Sequence, residues 1–223
     1  MNAPARLALF DCDGTLVDSQ ANICRAMEDA FDHHRLDPPG RDAIRRIVGL
    51  SLVEAMAALV PHADDALHRA LADRYKSGFQ ALRSNGGLLA EPLYDGIADA
   101  LEAIEDAGWV LGVATGKSDR GLALILAHHG LDARFVTLQT ADRHPSKPHP
   151  AMAAAAMAEA GAVPATTVMI GDTSYDMAMA VAAGAHPLGV AWGYHAPGEL
   201  RAAGAAVVID HARDLAPHLA NVY

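Results

Sequence analysis

Leu7-Ala-Leu-Phe-Asp-Cys-Asp-Gly-Thr-Leu-Val-Asp-Ser19 begins as an apolar run and stops abruptly at Asp11, with Asp13 and Gly14 close behind. A run bounded this way predicts a buried parallel strand. Residues just past the carboxyl end of such a strand lie where open α/β sheets bind their ligands. Gly14 lets the chain curl as it leaves the sheet, so that both carboxylates can serve one site. Two carboxylates held close repel each other unless a cation or a shared proton intervenes, and a divalent metal is the natural partner. Cys12, between them, is expected to point away into the sheet packing.

Working outward, two more apolar runs end in polar residues. Trp109-Val-Leu-Gly-Val-Ala114 stops at Thr115-Gly116-Lys117, and Thr167-Val-Met-Ile170 stops at Gly171-Asp172-Thr173-Ser174-Tyr175-Asp176. Between them, the prolines of Pro145-Ser146-Lys147-Pro148-His149-Pro150 restrain an isolated lysine just before an Ala/Met-rich helical stretch. A hydroxyl, a lysine and a second acidic pair therefore follow strand ends in turn. Each alone reads as a helix cap, a solvated loop charge or first-turn acids. All of them in this order, at one sheet edge, point to a site.

The combination Asp-x-Asp-Gly-Thr-Leu-Val-Asp-Ser, Thr-Gly-Lys, Ser-Lys-Pro and Gly-Asp-Thr-x-x-Asp-Met resembles the four motifs of the haloacid dehalogenase-like superfamily, nearest its phosphoglycolate phosphatase-like branch. The resemblance implies an α/β fold: a Rossmann-like, doubly wound parallel sheet over residues 1–14 and 89–223, with a small all-helical cap at residues 15–88. It also implies that Asp11 is the nucleophile and forms an aspartyl phosphate. Asp13 would be the general acid and base, and Thr115, Gly116 and Lys147 would hold the phosphoryl group. Magnesium would be held by the Asp11 carboxylate, the Asp13 backbone carbonyl and Asp172, with Asp176 orienting the ligands. Asp at position 13 favours phosphoryl transfer over dehalogenation, because an alkoxide leaving group needs a proton and a halide does not. Lys117 either faces the phosphate rim or caps a helix, and the cap is the favoured reading.

Between Ser19 and Ser84-Asn85-Gly86-Gly87 the pattern is helical, with breaks near Asp37-Pro38-Pro39-Gly40, Gly49 and Pro61-His62, which predicts about four cap helices. Within Arg45-Arg46-Ile47-Val48-Gly49-Leu50, one of the arginines could grip a substrate carboxylate or second phosphate, and Gly49 would let the backbone approach. His149 and the Trp192-Gly193-Tyr194-His195 loop are expected to be loop packing. Pro187-Leu-Gly-Val-Ala191 and Ala206-Val-Val-Ile-Asp210 read as two further strands.

The chain of 223 residues is 52% hydrophobic and only 5% aromatic, which fits an aliphatic, alanine-rich enzyme interior. A formal charge of −10 without a basic cluster argues against nucleic acid and anionic membranes as partners. A small phosphorylated metabolite fits, and the oligomeric state stays open. Two cysteines and no apolar leader or span predict a cytoplasmic protein.

The expected activity is a magnesium-dependent phosphatase for a small phosphate monoester, with phosphoglycolate a candidate substrate. A pyrophosphatase of the same branch and a beta-phosphoglucomutase-like phosphomutase are the enzymatic alternatives. The mutase is disfavoured because Gln20-Ala-Asn-Ile-Cys24 offers no basic residues after the first motif. A response-regulator receiver also places acids, Thr and Lys at strand ends, but in a different order and without a cap.

Overall fold

Six strands form one parallel sheet in a computed structural model that describes residues 3–222. They are β1 (Ala5–Phe10), β2 (Val110–Thr115), β3 (Phe135–Thr140), β4 (Ala162–Gly171), β5 (His186–Val190) and β6 (Val207–Ile209). Their order is β3-β2-β1-β4-β5-β6. This is the doubly wound Rossmann arrangement, whose ligand crevice opens where the winding reverses, beside the carboxyl end of β1. β1 is flanked by β2 and β4, so Asp11 and Asp172 emerge on either side of that crevice.

The central strand is buried on both faces, as its unbroken apolar run requires. Leu7 and Leu9 pack on one side with Met152, Ala153, Met179 and Ala180, from α7 (Ala151–Ala160) and α8 (Ser174–Ala183). Ala8 and Phe10 face the other side, with Leu101 and Ile104 of α5 (Ile97–Asp106) and Leu122, Ile125 and Leu126 of α6 (Asp119–His128). The two-residue alternation of a strand thus supplies both layers from one sequence run. Cys12 is buried in the second layer. β3 is the one strand that the sequence did not signal: it is an edge strand, and its inward side carries Thr137 and Gln139 rather than aliphatic residues.

Between β1 and α5 the chain makes four helices, α1 (Gln20–His33), α2 (Arg41–Ile47), α3 (Leu52–Leu59) and α4 (Asp65–Ser84). Their breaks fall at the predicted Pro/Gly positions. They enclose a separate apolar cluster of Met27, Phe31, Ile44, Met56 and Leu71, all nearly inaccessible. Leu16 and Val17, just before α1, pack instead with the sheet, where Val17 bridges Asp13 and Leu93. Among the described residues no helix is long and apolar enough to cross a membrane.

Candidate active site

Asp11 leaves β1 almost completely buried. Its Oδ1 accepts the Cys12 N–H at 2.7 Å and lies 2.9 Å from Lys147 Nζ, whereas its Oδ2 is buried without a hydrogen-bond partner. Gly14 then turns the chain with φ +89°, and a Cβ there would stand 2.2 Å from Asp172 Oδ2, so both the backbone and the space demand glycine.

From the end of β4, Asp172 enters the same site fully buried. Its Oδ1 accepts the Thr15 hydroxyl at 2.7 Å and its Oδ2 accepts the Tyr194 N–H at 2.9 Å. α8 starts at once, with Thr173 as its N-cap and Asp176 completing a reciprocal capping box. Asp176 Oδ2 accepts the Thr173 N–H at 3.0 Å, and Asp176 Oδ1 takes Lys147 Nζ at 2.6 Å. Lys147, with no exposed side-chain surface, therefore bridges Asp11 and Asp176.

Carboxylate oxygens of Asp11, Asp172 and Asp176 all lie within 4.8 Å of one another. One lysine cannot balance three carboxylates away from water. Burial raises the Asp11 carboxyl to about 7, against Lys147 and with Asp176 adding to the rise. Burial also lifts Asp172 well above the usual carboxylate range, reinforced by Asp11 and Asp176. Burial opposes the charge on Lys147, but Asp11 and Asp176 hold its ammonium above its ordinary value. This all-oxygen donor set, with Asp11 Oδ2 unpartnered, fits a hard divalent cation.

The Asp13 side chain stands apart from this cluster. Its Oδ1 lies 2.8 Å from Lys117 Nζ, and both side chains are largely buried. This corrects the expectation that Lys117 caps a helix. Ser118 caps α6, accepting the Gly121 N–H at 3.1 Å, while Lys117 lines the cavity and lies 5.9 Å from the Phe79 ring centre. Thr115, buried at the end of β2, accepts the Lys117 N–H at 3.2 Å and keeps its own hydroxyl proton for another acceptor.

Asp11, Asp13, Thr115, Gly116 and Lys117 form the floor of a cavity of about 590 Å³ between the sheet and the four helices. Gly49 lines it with φ +99°. A Cβ on Gly116 would stand 2.5 Å from the Leu50 carbonyl oxygen, so the α2–α3 connection rests directly on the Thr-Gly-Lys turn. Further ties hold the same contact: the Ser51 N–H donates to Ser146 Oγ at 2.8 Å, and the Tyr175 hydroxyl donates to the Arg46 carbonyl at 3.0 Å.

Neither arginine of the expected anchor lines the cavity. Arg46 reaches outward to Glu199 at 2.9 Å, and Arg45 does not line the cavity. The charge partner of Arg46 is distant in sequence, which local pattern could not reveal. His195 is buried against the same contact, accepting the Ser174 N–H at Nδ1, and burial lowers its pKa. His149 is exposed. Thr15 and the Tyr194 backbone also bond Asp172, and neither was assigned a role from the sequence. Thr15 stands within the first motif, which was a usable signal; the Tyr194 N–H carries no residue-type signature.

The family model described as haloacid dehalogenase-like hydrolase matches residues 8–190. A Dickeya dadantii (strain 3937) protein named probable phosphatase IndB is 36% identical, over 92% of this chain and 89% of its own length. A Bacillus pumilus protein named pyrophosphatase PpaX is 29% identical, over 82% of each chain. The crystal structure of a hydrolase from Pseudomonas syringae superposes with a TM-score of 0.84 at 25% identity, over 98% of this chain and 99% of that one. A doubly wound sheet with acids, threonine and lysine gathered at its switch point, together with these matches, defines a hydrolytic enzyme. The chain belongs to the haloacid dehalogenase-like hydrolases.

Proposed function

We propose that this hydrolase is a cytoplasmic, magnesium-dependent phosphatase that cleaves small-molecule phosphate monoesters through an aspartyl phosphate on Asp11. The observation that carries the proposal is Asp11 Oδ2: a buried carboxylate oxygen with no hydrogen-bond partner, on a residue that lines the cavity floor. The names of the Dickeya and Bacillus relatives support the class. Two buried, unpaired cysteines accord with a reducing compartment.

Asp11 would attack phosphorus while the ester P–O bond breaks, and Asp13 would give a proton to the departing alkoxide. Water would then attack the acyl phosphate, returning its proton to Asp13 and freeing Asp11 and inorganic phosphate. Lys147 would offset charge on the phosphoryl oxygens while fixing Asp11, and the Thr115 hydroxyl would donate to one of those oxygens. Asp11 and Asp172 would hold magnesium, which supplies charge neutralisation between anionic nucleophile and anionic ester, with the Asp13 carbonyl as a third ligand and Asp176 orienting the set. Residues 15–88 would act as the unit that closes over this chemistry and excludes bulk water.

The test is phosphate release, with and without magnesium, from phosphoglycolate, pyrophosphate, sugar phosphates and simple alkyl phosphates. Asp11→Asn should lower turnover by at least about 10³-fold. Isomerisation of a sugar phosphate without net phosphate release would instead establish a mutase.

A further inference from the structure

Above its floor the cavity has an apolar wall. α1 contributes Ile23 and Met27, the α2–α3 connection contributes Val48 and Leu50, and α4 contributes Tyr75 and Phe79. The Tyr75 and Phe79 rings stand side by side, with centroids 5.9 Å apart and planes tilted by 41°. The lining also holds cations, and His144, which bonds Gln139 at 2.7 Å. Lys117 pairs with Asp13, Arg83 lies over the Phe79 ring at 5.8 Å, and Lys76 and Arg120 are exposed at the mouth. Exposed Glu54 and Asp142 add negative charge there.

A second anionic group seated on this wall would meet aliphatic and aromatic surface, while at the rim two exposed cations, Lys76 and Arg120, stand against two exposed acids, Glu54 and Asp142. Burying a carboxylate without a partner is costly, whereas burying a ring on such a surface is favourable. A two-carbon ester would also leave most of a cavity of about 590 Å³ to water. We propose that the substrate is a phosphate monoester whose leaving group carries an apolar ring, seated against Tyr75 and Phe79. This rests on the phosphatase reading for its phosphate end.

The test compares kcat/KM for 2-phenylethyl phosphate and ethyl phosphate, whose alcohols differ little in acidity, alongside phosphoglycolate. The ring should raise kcat/KM by about 10- to 100-fold. Phe79→Ala should shrink that ratio several-fold, with Phe79→Leu as the companion should the alanine variant lose its fold. Calorimetric binding of 3-phenylpropylphosphonate against propylphosphonate reads the same preference without turnover. A ratio near one, or phosphoglycolate as the best ester, would overturn the proposal while leaving the phosphatase in place. Tighter binding of the phenyl phosphonate with no hydrolysis of any ester would sink the phosphatase and retain the ring site. Equal phosphonate affinities and no hydrolysis would remove both.

Discussion

Replacing Gly116 by alanine tests whether the closed geometry is the working one. Its φ lies outside the left-handed region, so an alanine is acceptable to the backbone itself. The new methyl carbon would stand 2.5 Å from the Leu50 carbonyl oxygen and 2.9 Å from that of Gly49, well inside ordinary contact. Both neighbours are backbone, so no rotamer change relieves the clash; the α2–α3 connection must lift. Overpacking of this kind costs about 1–3 kcal/mol. That corresponds to a loss of about 5- to 150-fold in the closed population. If turnover requires closure, kcat/KM should fall by about that factor. Because opening relieves the strain, the sheet and the helical cluster stay intact, and the melting temperature should move by only a few degrees. Steady-state kinetics and thermal denaturation on the same preparation decide the matter. Wild-type kcat/KM in the alanine variant would show that Leu50 does not rest on Gly116 during catalysis. A large fall in melting temperature with full activity would refute the argument from the other side.

The Asp13–Lys117 pair should behave as a unit: Lys117→Met and Asp13→Asn each lower kcat/KM, and the double variant loses less than the sum, with a coupling of about 0.5–3 kcal/mol in a double-mutant cycle. Magnesium should raise the melting temperature of the wild type and leave that of Asp172→Asn nearly unchanged, because an ion that binds only the folded state stabilises by mass action; an equal rise in both would remove Asp172 from the ligand set. Leu71→Ala empties a fully buried position in the helical cluster and should cost about 2–5 kcal/mol, read from the denaturant midpoint.

What the sequence announced and what it concealed divide along a physical line. Strand ends at Asp11, Thr115 and Asp172 were legible because an apolar run that must be buried on both faces stops where the polar residues gather. The four helices were legible from Pro and Gly breaks. β3 escaped because an edge strand tolerates Thr137 and Gln139 on its inner side, where both hydrogen-bond to Glu159. Lys117 was read as a helix cap because it stands beside a helix start; only the fold brings it to Asp13. The course of Arg46 was hidden for the converse reason. Arg46 looked available in local sequence, but its partner Glu199 lies 153 positions away.

Asp176 closes the capping box of α8 through one oxygen and grips Lys147 through the other. One carboxylate therefore answers to two selective pressures at once. In a library of random variants screened only for soluble expression, with no substrate present, position 176 should still return aspartate. Asp13, whose partner is another residue of the cavity floor, should drift. The two acids would look alike in a survey of active enzymes, and only selection with the chemistry removed would separate the one that builds the protein from the one proposed to work in it.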